Sequence, residues 1–440
     1  MFRPTGFADL AGKRVGIFGY GIEGRASAER LRGVASSLVL VDDAPGAGPD
    51  VLTTADSGHQ QLLTCDVVLK GPGIPRRRAD VLDLEAHGVS VTSALNLWLH
   101  DVDRDRVIAI TGTKGKSTTT ALVTFFLECL GEKALRLGNI GQPPYDLRVD
   151  TSEGWLVLEV SSFQCADIDV APRIVLVTSL GADHLDWHGS LESYRNDKLS
   201  LTRAAGTHAT LVPDTAIFRD LAGQLGGEVS FIPTDKGHLA GSLGLLGAHS
   251  DSNVALALEA VSRATRTPVN DVRRSVVKRA TSFVPLRGRL TLVASEERHG
   301  ATVSYVDDGL ATSALPTVAA LEVFADDPVV LIAGGFDRGV DYSPLALALA
   351  ARHSPTYLLT MGDAGRRIGQ ATGVADPFLA QERVASMDEA VRTARSLLEA
   401  GGVVLLSPAA PSFDQYRNWE ERSDDFTNVV LGLTRTHGPS

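Results

Sequence analysis

One segment, residues 107–130, constrains the fold of this chain more than any other. The apolar run Val107–Ile110 leads into the polar loop Thr111–Thr118, and a stretch with helical character follows from Thr119 to Leu130. A short, wholly apolar run of this kind is typical of a strand buried inside a parallel sheet, with helices packed on its faces. The segment therefore predicts an α/β fold.

The loop itself reads Thr-Gly-Thr-Lys-Gly-Lys-Ser-Thr, which is typical of a phosphate-binding loop. Backbone N–H groups and a helix N-terminus can cradle phosphates, Lys116 would reach the β- and γ-phosphates, and the Ser117 hydroxyl would ligate magnesium. The spacing is shorter than in the standard Walker A pattern. An incidental glycine turn with two lysines is the alternative, and the strand before it and the helix after it disfavour that alternative.

The pattern of strands and helices divides the 440 residues into three α/β domains, because the chain is too long for one core. The charged stretch Asp101–Arg106 separates the first two, and the predicted domains are residues 1–103, 104–291 and 292–440. Candidate parallel strands of the third are residues 329–333, 356–359 and 403–406. The glycine-rich residues 237–247 are predicted to form a hairpin and loop.

The N-terminal domain begins like a Rossmann fold. Val15–Phe18 reads as a buried strand, Gly19–Gly24 turns into a helix, and a second strand ends at Asp42 and Asp43. Such a turn can bring backbone close to a phosphate, and an acid after the second strand can meet a ribose or base. The signal is weak alone, so a glycine turn without a ligand and an NAD-binding oxidoreductase or regulator both remain alternatives.

Composition excludes several classes of function. The net charge of -11 and the absence of a dense Lys/Arg tract argue against a nucleic-acid partner. Three cysteines without CxxC spacing suggest neither disulfides nor a zinc site and fit a reducing cytoplasm. No uncharged apolar run approaches the roughly 20 residues of a membrane span. A cytoplasmic protein is expected, and anionic small molecules remain possible ligands because a few local cations can bind them.

The loop Gly112–Thr118 resembles the ATP loop of Mur ligases and folylpolyglutamate synthetases, and three later segments are similar to Mur ligase motifs. Residues 157–164 resemble the segment whose glutamate binds magnesium, which implies that Glu159 is a ligand. Residues 183–186 resemble the segment whose histidine, here His184, holds a second magnesium. Residues 194–198 resemble Tyr-Arg-x-x-Lys, whose lysine, here Lys198, is carbamylated. A solvated acid, a structural histidine and a solvated lysine are the plain alternatives.

The resemblance continues in family order from residue 15 to about 426 and implies the remaining ligand contacts. Asn253 would touch the adenine, although Ser250 departs from the usual asparagine, Arg287 would bind an ATP phosphate and Asp308 the ribose. The residues assigned to ATP are Gly112, Thr113, Lys114, Gly115, Lys116, Ser117, Thr118, Asn253, Arg287 and Asp308. Those assigned to the UDP part of the substrate are Gly19, Tyr20, Gly21, Asp42, Asp43, Gly71, Pro72 and Gly73.

The last segment, residues 405–422, resembles the C-terminal motif of the muramoyl-alanine glutamate ligases, and Ser412 and Trp419 are the matched contacts to the amino acid. Leu310 stands where D-glutamate-adding enzymes carry a lysine, and Arg338 stands at another lysine position. A guanidinium can grip a carboxylate bidentately, which an ammonium cannot. These changed cations favour L-glutamate as the added amino acid.

The resemblance therefore implies an ATP-dependent ligase, a monomer, that joins L-glutamate to UDP-N-acetylmuramoyl-L-alanine through an acyl phosphate in peptidoglycan precursor synthesis. Two Mg²⁺ ions would screen the reacting anions. The implied catalytic residues are Lys116, Lys198, His184 and Glu159, and the implied metal ligands are Ser117, Glu159, His184 and Lys198. The D-glutamate-adding ligase of the same step, a folate or cyanophycin-type ligase, and an NAD-binding protein remain alternatives.

Overall fold

The computed structural model describes residues 2–181, 183–376 and 379–435, and its chain divides into two compact units. The first unit comprises Met1–Gly237 and Asp251–Arg279, and the second comprises His238–Ser250 and Ala280–Ser440. The first unit holds two sheets and the second holds one. The predicted α/β class with three sheet regions is confirmed, whereas the domain boundaries near residues 103 and 291 stay a prediction.

The N-terminal sheet has the strand order β3-β2-β1-β4-β5 and is parallel throughout. Its central strands bury Val15 and Val67 completely, as the apolar runs predicted. The strands are β1 (Arg14–Phe18), β2 (Ser37–Asp42), β3 (Val51–Thr53), β4 (Val67–Lys70) and β5 (Ser90–Thr92). The helices are α1 (Ile22–Leu31), α2 (His59–Leu62), α3 (Ala79–Ala86) and α4 (Ala94–Asp101).

The central sheet is also parallel, in the order β11-β10-β9-β6-β8-β7. All five residues of β6 are buried, in accord with its uninterrupted apolar sequence. The strands are β6 (Val107–Thr111), β7 (Ala134–Gly138), β8 (Trp155–Glu159), β9 (Ile174–Val177), β10 (Ala209–Pro213) and β11 (Glu228–Ile232). The helices up to β11 are α5 (Lys116–Cys129), α6 (Ser162–Cys165), α7 (Leu185–His188), α8 (Leu191–Arg203) and α9 (Ala216–Asp220).

The glycine-rich patch is not the predicted hairpin. It contains a short helix, α10 (Leu239–Ser242), whose Leu239 and Ala240 are buried. Burial of these two adjacent apolar side chains favours a helical turn over an exposed hairpin. The helices α11 (Ala248–Thr265) and α12 (Val269–Val277) follow along the chain.

The C-terminal sheet has the order β12-β13-β17-β14-β15-β16, in which only the pair β12 and β13 is antiparallel. The three predicted strands are confirmed as the adjacent parallel strands β17, β14 and β15. The strands are β12 (Thr291–Arg298), β13 (Ala301–Asp307), β14 (Val329–Gly334), β15 (Thr356–Met361), β16 (Ala380–Arg383) and β17 (Gly402–Leu406). The helices are α13 (Ala314–Val323), α14 (Ser343–Ala350), α15 (Gly362–Ala375), α16 (Met387–Leu397) and α17 (Trp419–Arg435).

Apolar clusters cover both faces of the C-terminal sheet, which leaves the edges of the sheet as the places that a ligand could reach. In parallel sheets, ligands bind beyond the carboxyl ends of the strands. None of the helices within the described ranges is long and apolar enough to cross a membrane.

Candidate active site

The loop after β6 is fixed by backbone geometry that only glycine accommodates. Gly112 has φ +146°, and a Cβ there would lie 2.1 Å from Thr178 Oγ1. The N–H of Thr113 donates to the Ser179 carbonyl at 2.9 Å, and the N–H of Lys114 donates to Ser179 Oγ at 2.8 Å. The loop is therefore held against the segment after β9, and α5 begins directly behind it with its electropositive end.

Two lysine side chains of this region converge on one backbone carbonyl. Lys116 Nζ donates to the Gly112 carbonyl at 3.0 Å and to the Thr113 carbonyl at 3.1 Å, and Lys198 Nζ donates to the same Gly112 carbonyl at 2.8 Å. The side chain of Lys198 is buried. Burial, with a contribution from the charge of Lys116, lowers the pKa of Lys198 to about 7. Much of the Lys198 amine is therefore neutral near neutral pH.

A buried carboxylate with an unused oxygen lies at the end of β8. Glu159 is 1% exposed, and its Oε1 accepts a hydrogen bond from Asn139 Nδ2 at 2.8 Å. Its Oε2 is buried without a hydrogen-bond partner among the residues that the structure describes. A buried unpaired carboxylate oxygen is unfavourable unless a cation or donor arrives, and oxygen ligands suit Mg²⁺. Ser117, also buried, lies in the first turn of α5.

The third predicted metal ligand, His184, directly precedes α7 and has the left-handed conformation, with φ 49°. Its side chain is half exposed, and its ring centroid lies 4.8 Å from that of Phe163, which belongs to the segment after Glu159. The histidine and glutamate segments are therefore neighbours. No cluster of three or more His, Cys, Asp or Glu side chains suited to a metal occurs in the described ranges; the predicted set contributes only two such residues.

Asn253 lies in α11 beside the phosphate-binding loop. Its side chain is buried, and its Oδ1 is 2.7 Å from the position that a Cβ on Gly115 would occupy. Lys114 is exposed, with Nζ 3.7 Å from Asp183 Oδ2, and Thr118 is partly exposed. The structure thus brings together the predicted ATP-loop residues, Asn253, Glu159 and Lys198 around the carboxyl end of the central sheet.

Sequence reasoning missed two side-chain contacts that brace this region. The Tyr194 and Thr113 hydroxyls are 2.8 Å apart, and the Gly181 N–H donates to Thr113 Oγ1 at 2.9 Å. Tyr194 lies in the Tyr-Arg-x-x-Lys segment with Lys198, so the motif contained a signal. The motif could not indicate that Thr113 is the partner of Tyr194, because the two residues are 81 apart in the sequence.

The second missed contact centres on Asp197, the neighbour of Lys198. Arg77 grips its carboxylate bidentately, with both N–O distances 2.8 Å, and His188 Nδ1 lies 2.8 Å from Oδ2. The other ring nitrogen of His188 is 3.0 Å from Ser162 Oγ. Burial raises the pKa of Asp197, but the hydrogen bonds from Arg77 and His188 outweigh it and lower the pKa overall. Asp197 therefore joins α8 to the loop between β4 and α3.

The residues predicted to bind the UDP part gather at the carboxyl ends of β1 and β4. Gly71 N donates to the Phe18 carbonyl at 2.7 Å, which places the Gly71–Pro72–Gly73 loop beside Gly19. Asp42 already accepts hydrogen bonds from the backbone N–H groups of Tyr20 at 2.6 Å and Ala44 at 2.8 Å. It therefore stabilises the glycine turn that contains Gly19 and Gly21.

The second acid of this region, Asp43, is held bidentately by Arg78 and accepts a hydrogen bond from Thr54 Oγ1 at 2.6 Å. The hydrogen bond from Arg78 lowers the pKa of Asp43, against the effect of burial. The Trp187 indole N–H donates to the Gly73 carbonyl at 3.0 Å, so α7 also contacts the predicted UDP loop.

In the second unit, the predicted amino-acid contacts Arg338 and Ser412 lie in the loops after β14 and β17. The Arg338 guanidinium is exposed and lies 6.0 Å from the centroid of the Phe413 ring, which adjoins the buried Ser412. Within the described part of the chain, no carboxylate is within ion-pair distance of Arg338. Leu310 is partly exposed. The structure thus brings a guanidinium without an anionic partner beside the Ser412 loop.

The other predicted residues of the second unit have partners of their own. Asp308 accepts a hydrogen bond from Ser407 Oγ at 2.7 Å, and burial raises the pKa of Asp308 to about 7. Arg287 pairs with Asp424 on α17, and the ring of Trp419 packs against Gly288 in the same linker.

Comparison with known proteins places these observations in a family. The protein family described as "Mur ligase middle domain" matches this chain over residues 110–240. The UDP-N-acetylmuramoyl-L-alanine–L-glutamate ligase of Micromonospora sp. is 36% identical, with 96% of this chain and 97% of the relative aligned. The UDP-N-acetylmuramoylalanine–D-glutamate ligase of Shouchella clausii is 33% identical, with 96% of this chain and 97% of the relative aligned. The crystal structure of the UDP-N-acetylmuramate–alanine ligase of Thermotoga maritima has the same fold, with a TM-score of 0.53, 17% identity, and 96% of this chain and 100% of that chain covered. The chain therefore belongs to the Mur ligase family of ATP-dependent ligases, which form C–N bonds.

Proposed function

We propose that this chain adds L-glutamate to the carboxylate of UDP-N-acetylmuramoyl-L-alanine, with conversion of ATP to ADP and phosphate. Relatives named for L-glutamate are 31% to 36% identical, and the relative named for D-glutamate is 33% identical. Overall identity therefore does not separate the two enantiomers. The side chains at the carboxyl edge of the C-terminal sheet must do so.

The choice of L-glutamate rests on two residues considered together: residue 310 is an apolar leucine, and Arg338 is exposed with no ion-pair partner in the described ranges. Leucine cannot bind a carboxylate, so the lysine contact of D-glutamate-adding enzymes is absent at residue 310. Inverting the α-carbon moves the side-chain carboxylate relative to the attacking amine. A relocated guanidinium is the change that such an inversion requires.

In the first chemical step, an oxygen of the substrate carboxylate attacks the γ-phosphorus of ATP, and the bond to the β,γ-bridging oxygen breaks. An acyl phosphate and ADP result. The loop from Gly112 to Thr118 holds the phosphates, and Lys116 stabilises the charge that develops on the transferred group. Asn253, on the buried side of the same loop, fits a contact to the base.

In the second step, the amine of glutamate attacks the acyl carbon, the C–N bond forms, and inorganic phosphate leaves. The amine must lose its proton during this step. We name no single essential base, because positioning and charge stabilisation are the main contributions of such a site. Arg338, Ser412 and Trp419 are proposed to orient the amino acid for this attack.

The central site fits Mg²⁺, which when bound would screen the charges of the carboxylate and the phosphates. Glu159 would hold it through the buried Oε2 that lacks a hydrogen bond, together with Ser117 and His184. We further propose two ions and a carbamylated Lys198. A neutral lysine amine adds to carbon dioxide with loss of one proton, and the resulting carboxylate replaces a cation that would repel the metal.

The remaining assignments complete the proposal. The N-terminal sheet would bind the UDP part through Gly19–Gly21, Asp42, Asp43 and Gly71–Gly73, and ATP would also contact Arg287 and Asp308. A monomer working in the cytoplasm remains our expectation. The alternative of an NAD-binding oxidoreductase is set aside, because the family assignment accounts for the Rossmann-like turn without a nicotinamide.

The decisive experiment measures phosphate release with ATP, UDP-N-acetylmuramoyl-L-alanine and either L- or D-glutamate in separate reactions, with mass spectrometry of the product. Activity with L-glutamate alone supports the proposal. Activity with D-glutamate alone retains the ligase and rejects the enantiomer argument. Absence of activity with both rejects glutamate as the amino acid.

Two substitutions test the origin of the preference. Leu310→Lys combined with Arg338→Lys should weaken use of L-glutamate by roughly tenfold or more and favour D-glutamate relative to wild type. Arg366→Lys is the control, because this exposed arginine forms an ion pair with Asp363, three residues away, and with no other residue that the structure describes. An unchanged L/D ratio in the double variant would show that these positions do not set the preference.

A further inference from the structure

One arginine of the second unit is buried without a direct ion pair to any described carboxylate. Arg422, on α17, is 2% exposed, and its guanidinium has no carboxylate within ion-pair distance in the described ranges. Its Nε is buried and has no hydrogen-bond partner among the residues that the structure describes. Burial lowers the pKa of Arg422 to about 10, which still leaves the group charged at neutral pH. A permanent positive charge is therefore enclosed in this unit.

The hydrogen bonds that the structure gives this guanidinium end on backbone carbonyls in or directly before three different loops, and one acceptor, Gly334, is the last residue of β14. Nη1 donates to Gly334 at 3.3 Å and to Ala410 at 3.0 Å, and Nη2 donates to Gly309 at 3.0 Å. These loops follow β14, β17 and β13, which are adjacent parallel strands. One side chain thus joins the three loops at the carboxyl edge of the sheet.

The same three loops contain the residues proposed to contact the amino acid or the nucleotide. Gly309 follows Asp308, Gly334 directly precedes the loop that contains Arg338, and Ala410 is two residues before Ser412. An apolar side chain of similar size would fill the space without the cost of burying a charge. No described carboxylate forms an ion pair with this guanidinium, although those of Asp414 and Asp307 are near enough to raise its pKa against the effect of burial. A positive charge that the protein compensates only in part is what an anionic ligand at this edge would require.

We infer that Arg422 is a positioning residue for the incoming amino acid: it fixes the loops after β13, β14 and β17 relative to one another and supplies a positive charge that attracts a dicarboxylate. Arg422 is too deeply buried to touch the ligand itself, so its effect passes through the three loops and through the electrostatic potential at the edge. The choice of a dicarboxylic amino acid rests on the proposed function.

The same sheet offers a matched control at its opposite edge. Arg352 also donates to three carbonyls, those of Leu321, Phe324 and Asp327, at distances between 2.8 and 2.9 Å. Its burial likewise lowers its pKa. The loop that it fixes precedes β14, away from the carboxyl ends of the strands. Arg352 is only partly buried and its Nε also donates to Thr356 Oγ1 at 2.8 Å. It shares with Arg422 the binding of three backbone carbonyls, but it lies away from the predicted ligand contacts.

The test compares Arg422→Lys and Arg422→Met with Arg352→Lys and Arg352→Met in the full chain. In Arg422→Met the KM for glutamate should rise at least tenfold, while the KM for ATP changes less than twofold; Arg422→Lys, which keeps the charge but loses the fork, should be intermediate. The Arg352 variants should lower the melting temperature without changing the KM for glutamate. An unchanged KM for glutamate in a folded Arg422 variant, or an equal rise in the Arg352 variants, would overturn the inference.

Hydrogen–deuterium exchange gives a readout that needs no substrate. In Arg422→Lys, peptides covering residues 308–312, 334–340 and 409–414 should exchange faster together, whereas in Arg352→Lys they should match wild type. If neither Arg422 variant folds, wild type decides: 10 mM glutamate should protect the three peptides together, and protection of none rejects the inference. Wild type that releases no phosphate with either enantiomer rejects the proposed function instead, and the exchange rates still report on loop fixing.

Discussion

At the carboxyl edges of both the central and the C-terminal sheet, cationic side chains donate hydrogen bonds to backbone carbonyls. The cations are lysines at the central edge and an arginine at the C-terminal edge. At the central edge, Lys116 and Lys198 share the Gly112 carbonyl. At the C-terminal edge, Arg422 donates to Gly334 and two other carbonyls. A lysine amine can give up its proton when it is buried, whereas a guanidinium cannot. The central edge can therefore change its charge, and the C-terminal edge keeps a constant one.

The prediction with the largest expected effect tests whether activity requires a side chain at residue 198 that can lose its positive charge. Lys198→Met should reduce kcat/KM by roughly 100- to 1,000-fold, because a group that stabilises the reacting charges is lost. Lys198→Arg should be as inactive, because it keeps a charge that cannot be removed and cannot add carbon dioxide. Phosphate release measures both, with circular dichroism to confirm folding. An active arginine variant would remove the distinction between the two edges.

A second test uses the glycine that bears the acceptor carbonyl at each edge. Gly112 has φ +146°, and Gly334 has φ +126° with Met361 O 1.9 Å from its Cβ position. Alanine should destabilise either site by roughly 3 kcal/mol through strain and overlap. Gly112→Ala should abolish ATP binding, and Gly334→Ala should chiefly raise the KM for glutamate.

The controls for that test are glycines with positive φ in open space. Gly131→Ala, with φ +84°, and Gly339→Ala, with φ +72°, meet no atom within 4 Å. They should cost only the strain of a left-handed residue, roughly 1 kcal/mol, and leave both ligand affinities unchanged. Equal loss of ATP affinity in Gly131→Ala would show that strain rather than overlap disrupts the loop.

These two edges also differ in how far the sequence predicts them. The central loop follows β6 without interruption, so the phosphate-binding loop, Lys116 and the start of α5 are local features that residues 107–130 contain. The bonds of Arg422 to Gly334 and Gly309 join residues 88 and 113 apart in the sequence, and no local pattern encodes them. Motif similarity correctly indicated the family and the apolar runs placed the strands, but neither gave these partners or the helix α10.

A third test follows the charge of Lys198 through pH. Because its pKa is lowered to about 7 in the folded chain, folded Lys198 loses its proton between about pH 6.5 and 8.5 while the unfolded chain keeps it. Unfolding then takes up a proton, so stability rises with pH. Relative to Lys198→Met, the unfolding free energy of wild type should increase by about 2 kcal/mol over that range.

Urea unfolding in buffers free of carbon dioxide measures this difference without a carbamate. The control is Lys133→Met, because Lys133 is exposed and its hydrogen bond to Glu153 raises its pKa, so both states stay protonated throughout the range. A wild-type curve parallel to that of Lys198→Met would mean that the buried amine keeps its charge, and the contrast with Arg422 would fail.

The smallest expected effect concerns an arginine at the central edge. Arg77 binds the carboxylate of Asp197, the neighbour of Lys198, bidentately. Like Arg422, Arg77 carries a constant charge that holds two segments of the chain together. Arg77→Lys and Arg77→Gln should each lower kcat about tenfold, since neither can form two parallel hydrogen bonds to the carboxylate. Arg219 is a close match, because its side chain is 56% exposed against 55% for Arg77 and it also binds a carboxylate, Asp214, bidentately. Arg219→Lys should leave kcat unchanged, and full activity of Arg77→Lys would show that at this position charge alone, without the fork, is sufficient.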